Sequence, residues 1–123
     1  MKLLNDFYTI LNSNSTDGGT SVLVKINKEH SIFEGHFPNH PVTPGVCTMQ
    51  IIKELSEEHF GKELMLKTAR NVKFMAIINP EENDEVRFDL SFEPVVDGEI
   101  SIKATVLIDE NPALKFGGNF KEI

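Results

Sequence analysis

The sequence predicts an α+β fold in which one antiparallel sheet wraps a long central helix. Three observations point there. "VCTMQIIKELSEEHFG", from Val46 to Gly61, is the one apolar segment with helical length and spacing in the body of the chain. Before and after it run segments that alternate apolar and polar residues with the period of a strand. Turn dipeptides separate those segments at short intervals. A helix that is apolar nearly all round must be covered, and a sheet with one apolar face covers it.

Composition sets the outer limits. The 123 residues are read as a single domain, 1–123, with 40% apolar residues available for a core. A domain of this size buries only about two-thirds of its unfolded surface, so pairing with a copy of itself is favourable. Twelve basic and 19 acidic side chains leave a net charge of −7, which argues against nucleic acid as a partner. No apolar run approaches the roughly 18 residues of a membrane span. The start of the chain, "MKLLNDFYTILNSNS", lacks the apolar stretch of a secretory signal. Cys47 is the single cysteine, so an internal disulfide is impossible, and a cytoplasmic location is expected. No zinc-type ligand spacing occurs, and no metal or cofactor is expected.

Taken in order, Leu3 to Leu11 has apolar residues at helical spacing and predicts a short amphipathic helix. "NSNSTDGG", 12–19, predicts a loop. "TSVLVKIN", 20–27, predicts a strand with Val22, Val24 and Ile26 on one face. The stretch "FEGHFPNHPVTPGVCTMQ", 33–50, follows. Its prolines fix φ and push each preceding residue away from helix, giving a rigid loop around His36. Thr43 is expected as the N-cap of the central helix and Pro44 as its first residue. The first half of that helix, with Val46, Cys47, Met49, Ile51, Ile52 and Leu55, is expected to be buried. The second half, with Lys53, Glu54, Glu57 and Glu58, is expected in solvent. Strands are predicted over 64–78, over "EVRFDLSFEP", over "EISIKATVLID" and over "ALKFGGNF", with turns at Asn79-Pro80, Asp97-Gly98 and Asn111-Pro112.

The combination of a strand, "GHFPNHPVTPG", a buried helix and a run of antiparallel strands resembles the 3-hydroxyacyl-[acyl-carrier-protein] dehydratases of the FabA/FabZ type, including those of aryl polyene pathways. The resemblance covers nearly the whole chain and is most specific at His36, Phe37, Pro38, Pro41, Pro44 and Gly45. It implies the hot-dog fold, a homodimer or an oligomer of dimers, and a substrate presented on the phosphopantetheine arm of acyl carrier protein. It also implies that His36 is the catalytic base and that the Gly45 amide polarises the thioester carbonyl. Histidine and carboxylate come from different subunits in that family. The carboxylate position, fourteen residues after the histidine, is here Gln50.

That departure falls on the chemistry. Dehydration removes an α-proton and expels hydroxide from the β-carbon. A histidine titrating near neutrality suits the first step. Unpaired amides and the positive end of a helix suit the developing enolate, and a glycine there lets the thioester approach closely. The leaving hydroxide needs a proton, which a glutamine amide does not give. Loss of a general acid costs roughly 10²–10⁴ in rate. Glu54 lies one turn beyond Gln50, roughly 5–6 Å away between Cβ atoms, and is the candidate substitute.

Phe33, Phe37, Pro44 and Val46 are the further candidates for lining the substrate site, with lining and packing not separable from sequence. On residue type alone, His36 is equally a loop-bracing hydrogen bonder, and Gln50 a satisfied buried amide. Lys67, Arg70 and Lys73 form a basic stretch that suits docking of an acidic carrier protein, or a strand edge guarded by lysines. Three functions stay in view: a dehydratase, an acyl-binding subunit that pairs with an active paralogue, and a thioesterase of the same fold.

Overall fold

The computed structural model describes residues 2–34, 42–94 and 96–123. Six strands and one long helix follow in the order β1 (Tyr8–Thr16), β2 (Gly19–Ile26), α1 (Gly45–Phe60), β3 (Leu64–Phe74), β4 (Glu85–Pro94), β5 (Glu99–Ile108) and β6 (Asn111–Glu122), with single 3-10 turns at Ser31–Phe33 and Val96–Gly98. All strand pairs are antiparallel, in the sheet order β1-β2-β4-β5-β6-β3.

The alternating segments put their apolar residues where expected. Val22, Val24 and Ile26 of β2, Val86, Phe88 and Leu90 of β4, Ile102, Ala104 and Val106 of β5, and Leu114, Phe116 and Phe120 of β6 join Cys47, Ile51, Ile52 and Leu55 of α1 in one core. Gly118 of β6 is required by close approach to β3, since a Cβ there would lie 2.6 Å from the Thr68 carbonyl oxygen. The helix ends as its sequence indicates, with Gly61 at φ 64 donating its N–H to Glu57 O at 2.8 Å.

Several expectations are corrected. Residues 3–11 do not form a helix. One turn, with Phe7 N–H on Leu3 O at 2.8 Å and Asn5 at φ 68, leads directly into β1. Leu3, Phe7 and Tyr8 are buried all the same, because a single turn brings them to the same side. Pairing with β2 from Tyr8↔Ile26 to Thr16↔Gly19 satisfies the backbone that a short isolated helix would hold only weakly. The expected loop at 12–19 therefore shrinks to Asp17-Gly18, with Gly18 at φ 80. Strand β3 stops at Phe74, short of 78. The turn between β5 and β6 is Asp109-Glu110, both at positive φ, while Asn111-Pro112 lies inside β6. Val46 is 72% exposed, on the side of α1 away from its own sheet.

Candidate functional site

The N-terminus of α1 differs from expectation by one residue. Pro44 is the N-cap, at φ −60 and ψ 141, and Gly45 is the first helical residue. Cys47 and Thr48 N–H donate to Pro44 O at 3.0 and 3.2 Å. The Gly45 and Val46 amides have no acceptor among the described residues, as the geometry of a helix start dictates. Thr43 does not cap. Its backbone N–H donates to Ile78 O at 2.9 Å, which turns the residue inward, and its hydroxyl is buried without a hydrogen-bond partner.

Thr43 and Gly45 border a largely apolar cleft of about 370 Å³, lined also by Val42, Thr48, Phe74 to Ile78, Ala113 and Leu114. The Phe74 ring lies directly over Gly45, where a Cβ would meet Phe74 Cζ at 2.8 Å. Phe74 was not among the predicted site residues. No periodicity relates positions 45 and 74, and only the path of the chain after β3 brings them together.

Gln50 follows Gly45 by five residues, about 140° further round the helix. It accordingly borders a different, polar hollow of about 520 Å³, shared with Lys2, Lys53, Glu57 and Lys62. Gly45 and Gln50 of one chain thus face separate clefts. Gln50 donates through Nε2 to Glu54 Oε2 at 2.8 Å.

Glu54 is not a solvated helix-face residue. It is 2% exposed, and its carboxylate receives Leu3 N–H at 2.7 Å, Leu4 N–H at 2.8 Å, the Tyr8 hydroxyl at 3.1 Å and Gln50. Each oxygen has two donors, so Glu54 ties the N-terminal turn to the helix and orients Gln50. The sequence offered no sign of this, because three of the four donors lie about fifty positions away and two of those are backbone. Burial first, and the Glu54 charge second, push the Tyr8 phenol far above the usual tyrosine range. Burial also pushes the Cys47 thiol up, in keeping with a core filler.

The remaining candidates separate. Phe33 is buried and stacks on Phe7 at 5.6 Å between ring centres, so it packs the core. Pro44 lies at the helix start, and Val46 points to solvent. Lys67, Arg70 and Lys73 lie on exposed β3, where Lys67 and Arg70 are the extra residues of two register shifts against β6. Arg70 donates to Asn119 Oδ1 and, at 3.0 Å, to Ser101 Oγ. His36 and Phe37 lie outside the described residues, as do His40, Pro38 and Pro41. Among the described residues no cluster of metal-ligating side chains occurs, and no helix is long and apolar enough to cross a membrane.

A helix backed by a six-stranded antiparallel sheet of this order is a hot-dog domain, and solved structures with that fold superpose on most of the chain. The dehydratase heterocomplex ApeI:P from Xenorhabdus doucetiae aligns over 92% of this chain and 96% of its own at a TM-score of 0.73 and 12% identity. A hypothetical thioesterase with coenzyme A from Streptococcus pneumoniae aligns over 94% and 85% at a TM-score of 0.68 and 10% identity. Sequence narrows the assignment further. Residues 12–105 match the model of the ApeI-like family, ApeI dehydratase, and the chain belongs to that family. The 3-hydroxyacyl-[acyl-carrier-protein] dehydratase FabZ of Lactiplantibacillus plantarum is 33% identical over 92 residues, which are 65% of this chain and 63% of that protein. FabZ of Lactobacillus helveticus is 27% identical over 127 residues, covering 92% and 83%. The chain spans somewhat less than two-thirds of the length of the first of these relatives.

Proposed function

We propose that this protein acts on 3-hydroxyacyl thioesters carried by acyl carrier protein, as a dehydratase in which Gln50 replaces the usual carboxylate. The observation that carries the reading is the start of α1, where the Gly45 amide, without an acceptor among the described residues, borders a largely apolar cleft. Such a donor suits the oxygen of a thioester that becomes an enolate, and the cleft suits an acyl chain. His36 is the base in this reading, and its place in "GHFPNHPVTPG" is the support for it. Lys67, Arg70 and Lys73 supply positive charge for an acidic carrier protein.

The chain works as a dimer. Because Gly45 and Gln50 face different clefts, a site that uses both takes them from two copies. Strand β3 is an edge of the sheet, and Met65, Leu66, Val72 and Phe74 along it are exposed, as are Met75 and Ile77 beyond its end.

One observation favours a second reading. Gln50 is held by Glu54 through its N–H, and neither residue is an available acid, since all four acceptor positions of Glu54 are filled. A subunit that binds the acyl chain while a paralogue supplies the carboxylate fits that arrangement. The test is dehydration of a 3-hydroxyacyl carrier-protein substrate by the wild type, His36→Ala and Gln50→Glu, with hydrolysis followed in parallel. Dehydration lost in His36→Ala supports the enzyme. Activity appearing only in Gln50→Glu supports the binding subunit, and hydrolysis without dehydration overturns both.

A further inference from the structure

The Thr43 hydroxyl has a cost and no visible compensation. Thr43 is 6% exposed, and its Oγ1 is buried with no hydrogen-bond partner, alone among the buried side-chain oxygens and nitrogens of the described residues. An unpaired buried hydroxyl is disfavoured, and valine offers the same shape without the loss. The residue is also in a position where a threonine normally finds a use, next to a helix start with amides to cap. It does not cap, because the bond from Thr43 N–H to Ile78 O pins its backbone inward, and Pro44 takes the cap position.

What Thr43 does border is the cleft of Gly45, together with Val42, Phe74, Ile78 and Leu114. The Gly45 amide, without an acceptor among the described residues, and a nine-tenths buried hydroxyl two residues before it therefore belong to two residues that line one apolar space. A ligand oxygen entering the cleft would satisfy both at once.

We infer that Thr43 is a ligand-binding residue whose hydroxyl donates to an oxygen of the acyl thioester bound at the start of α1, beside the Gly45 amide. The inference rests on the thioester reading of the site. The orphan hydroxyl is a group held in readiness, costing stability in the empty protein and returning it as affinity.

Thr43→Val, with Thr43→Ser as the conservative control, separates this role from a packing role. Thermal unfolding is measured with and without saturating 3-hydroxyoctanoyl-N-acetylcysteamine and octanoyl-N-acetylcysteamine, and their dissociation constants are determined. The expected result is a Thr43→Val protein that melts a few degrees above wild type when empty, binds about tenfold more weakly, and gains less from ligand. Thr43→Ser should bind within about twofold of wild type. A penalty with both thioesters assigns the contact to the carbonyl oxygen, and a penalty only with the hydroxylated one assigns it to the β-hydroxyl. Wild-type affinity in Thr43→Val overturns the inference and leaves the thioester reading standing. No binding of either thioester by the wild type overturns both.

Discussion

At the scale of single residues, Glu54 decides more than its place in the sequence suggests. A carboxylate is an acceptor only, and all four of its neighbours are donors. Glu54→Gln swaps one acceptor oxygen for a donor and sets N–H against N–H. The expected loss of stability is about 2–4 kcal/mol, read by urea unfolding. A surface glutamate, which the sequence alone suggests, would lose less than about 0.5 kcal/mol.

Tyr8 gives a pH signature. Its folded-state phenol is pushed above the unfolded value by burial and by Glu54, so the folded chain holds its proton more tightly. That contribution is complete below the unfolded value of about 10 and is lost as pH rises beyond it. Tyr8 is the only tyrosine. The absorbance of tyrosinate should therefore appear together with loss of circular dichroism at alkaline pH, and no earlier. Titration of Tyr8 in a protein that remains folded, near the ordinary value, would contradict the buried Tyr8–Glu54 contact.

At the scale of elements, the start of α1 joins backbone conformation to the site. A methyl on Gly45 would lie 2.8 Å from Phe74 Cζ, but that ring is 58% exposed and can swing aside. Gly45→Ala should change stability by less than about 1 kcal/mol, since alanine is also the better helix former. Binding and turnover of the thioester should fall by about tenfold or more, because the methyl occupies the approach to the amide. A melting curve beside a steady-state assay distinguishes the two effects.

The hairpin between β5 and β6 offers a test of local strain. Glu110 is held at φ 68, a conformation that costs a non-glycine residue about 1–2 kcal/mol. Its contact with Arg87 is on the surface and contributes about 0–1 kcal/mol. Relief of strain exceeds the lost pair, so Glu110→Gly is expected to stabilise the protein by about 0.5–1 kcal/mol in chemical unfolding. Asn111-Pro112 is the stronger turn dipeptide, yet the turn falls at Asp109-Glu110. Pro112 is instead accommodated in β6, opposite Leu107 at a register shift.

At the scale of the whole molecule, β1 and β3 are the two edges of the sheet, and β3 is the one beside the Gly45 cleft. Its register shifts at Lys67 and Arg70 interrupt regular pairing there, a common guard against indiscriminate strand addition. Leu66 and Val72 lie on either side and are exposed. The double variant Leu66→Glu/Val72→Glu is expected to shift the protein from two chains to one in sedimentation, with its secondary structure retained. A wild type that sediments as a single chain would remove the dimer from the proposed mechanism.

The class of fold, the strands β2, β4, β5 and most of β6, and the extent of α1 are legible in the sequence. Each of these rests on a short-range pattern, a period of two or of 3.6 closed by a glycine or a turn. The motif "GHFPNHPVTPG" likewise marked the family and located the helix start to within one residue. Tertiary structure decided what the pattern could not contain. The turn at 3–7 exists because Glu54 takes the Leu3 and Leu4 N–H groups and Asn27 N–H donates to Phe7 O, although its apolar spacing is that of a helix. Thr43 is turned inward by Ile78, and Gly45 is roofed by Phe74. In each case the deciding partner lies far along the chain, or is a backbone group that any residue carries, so no local signal announces it.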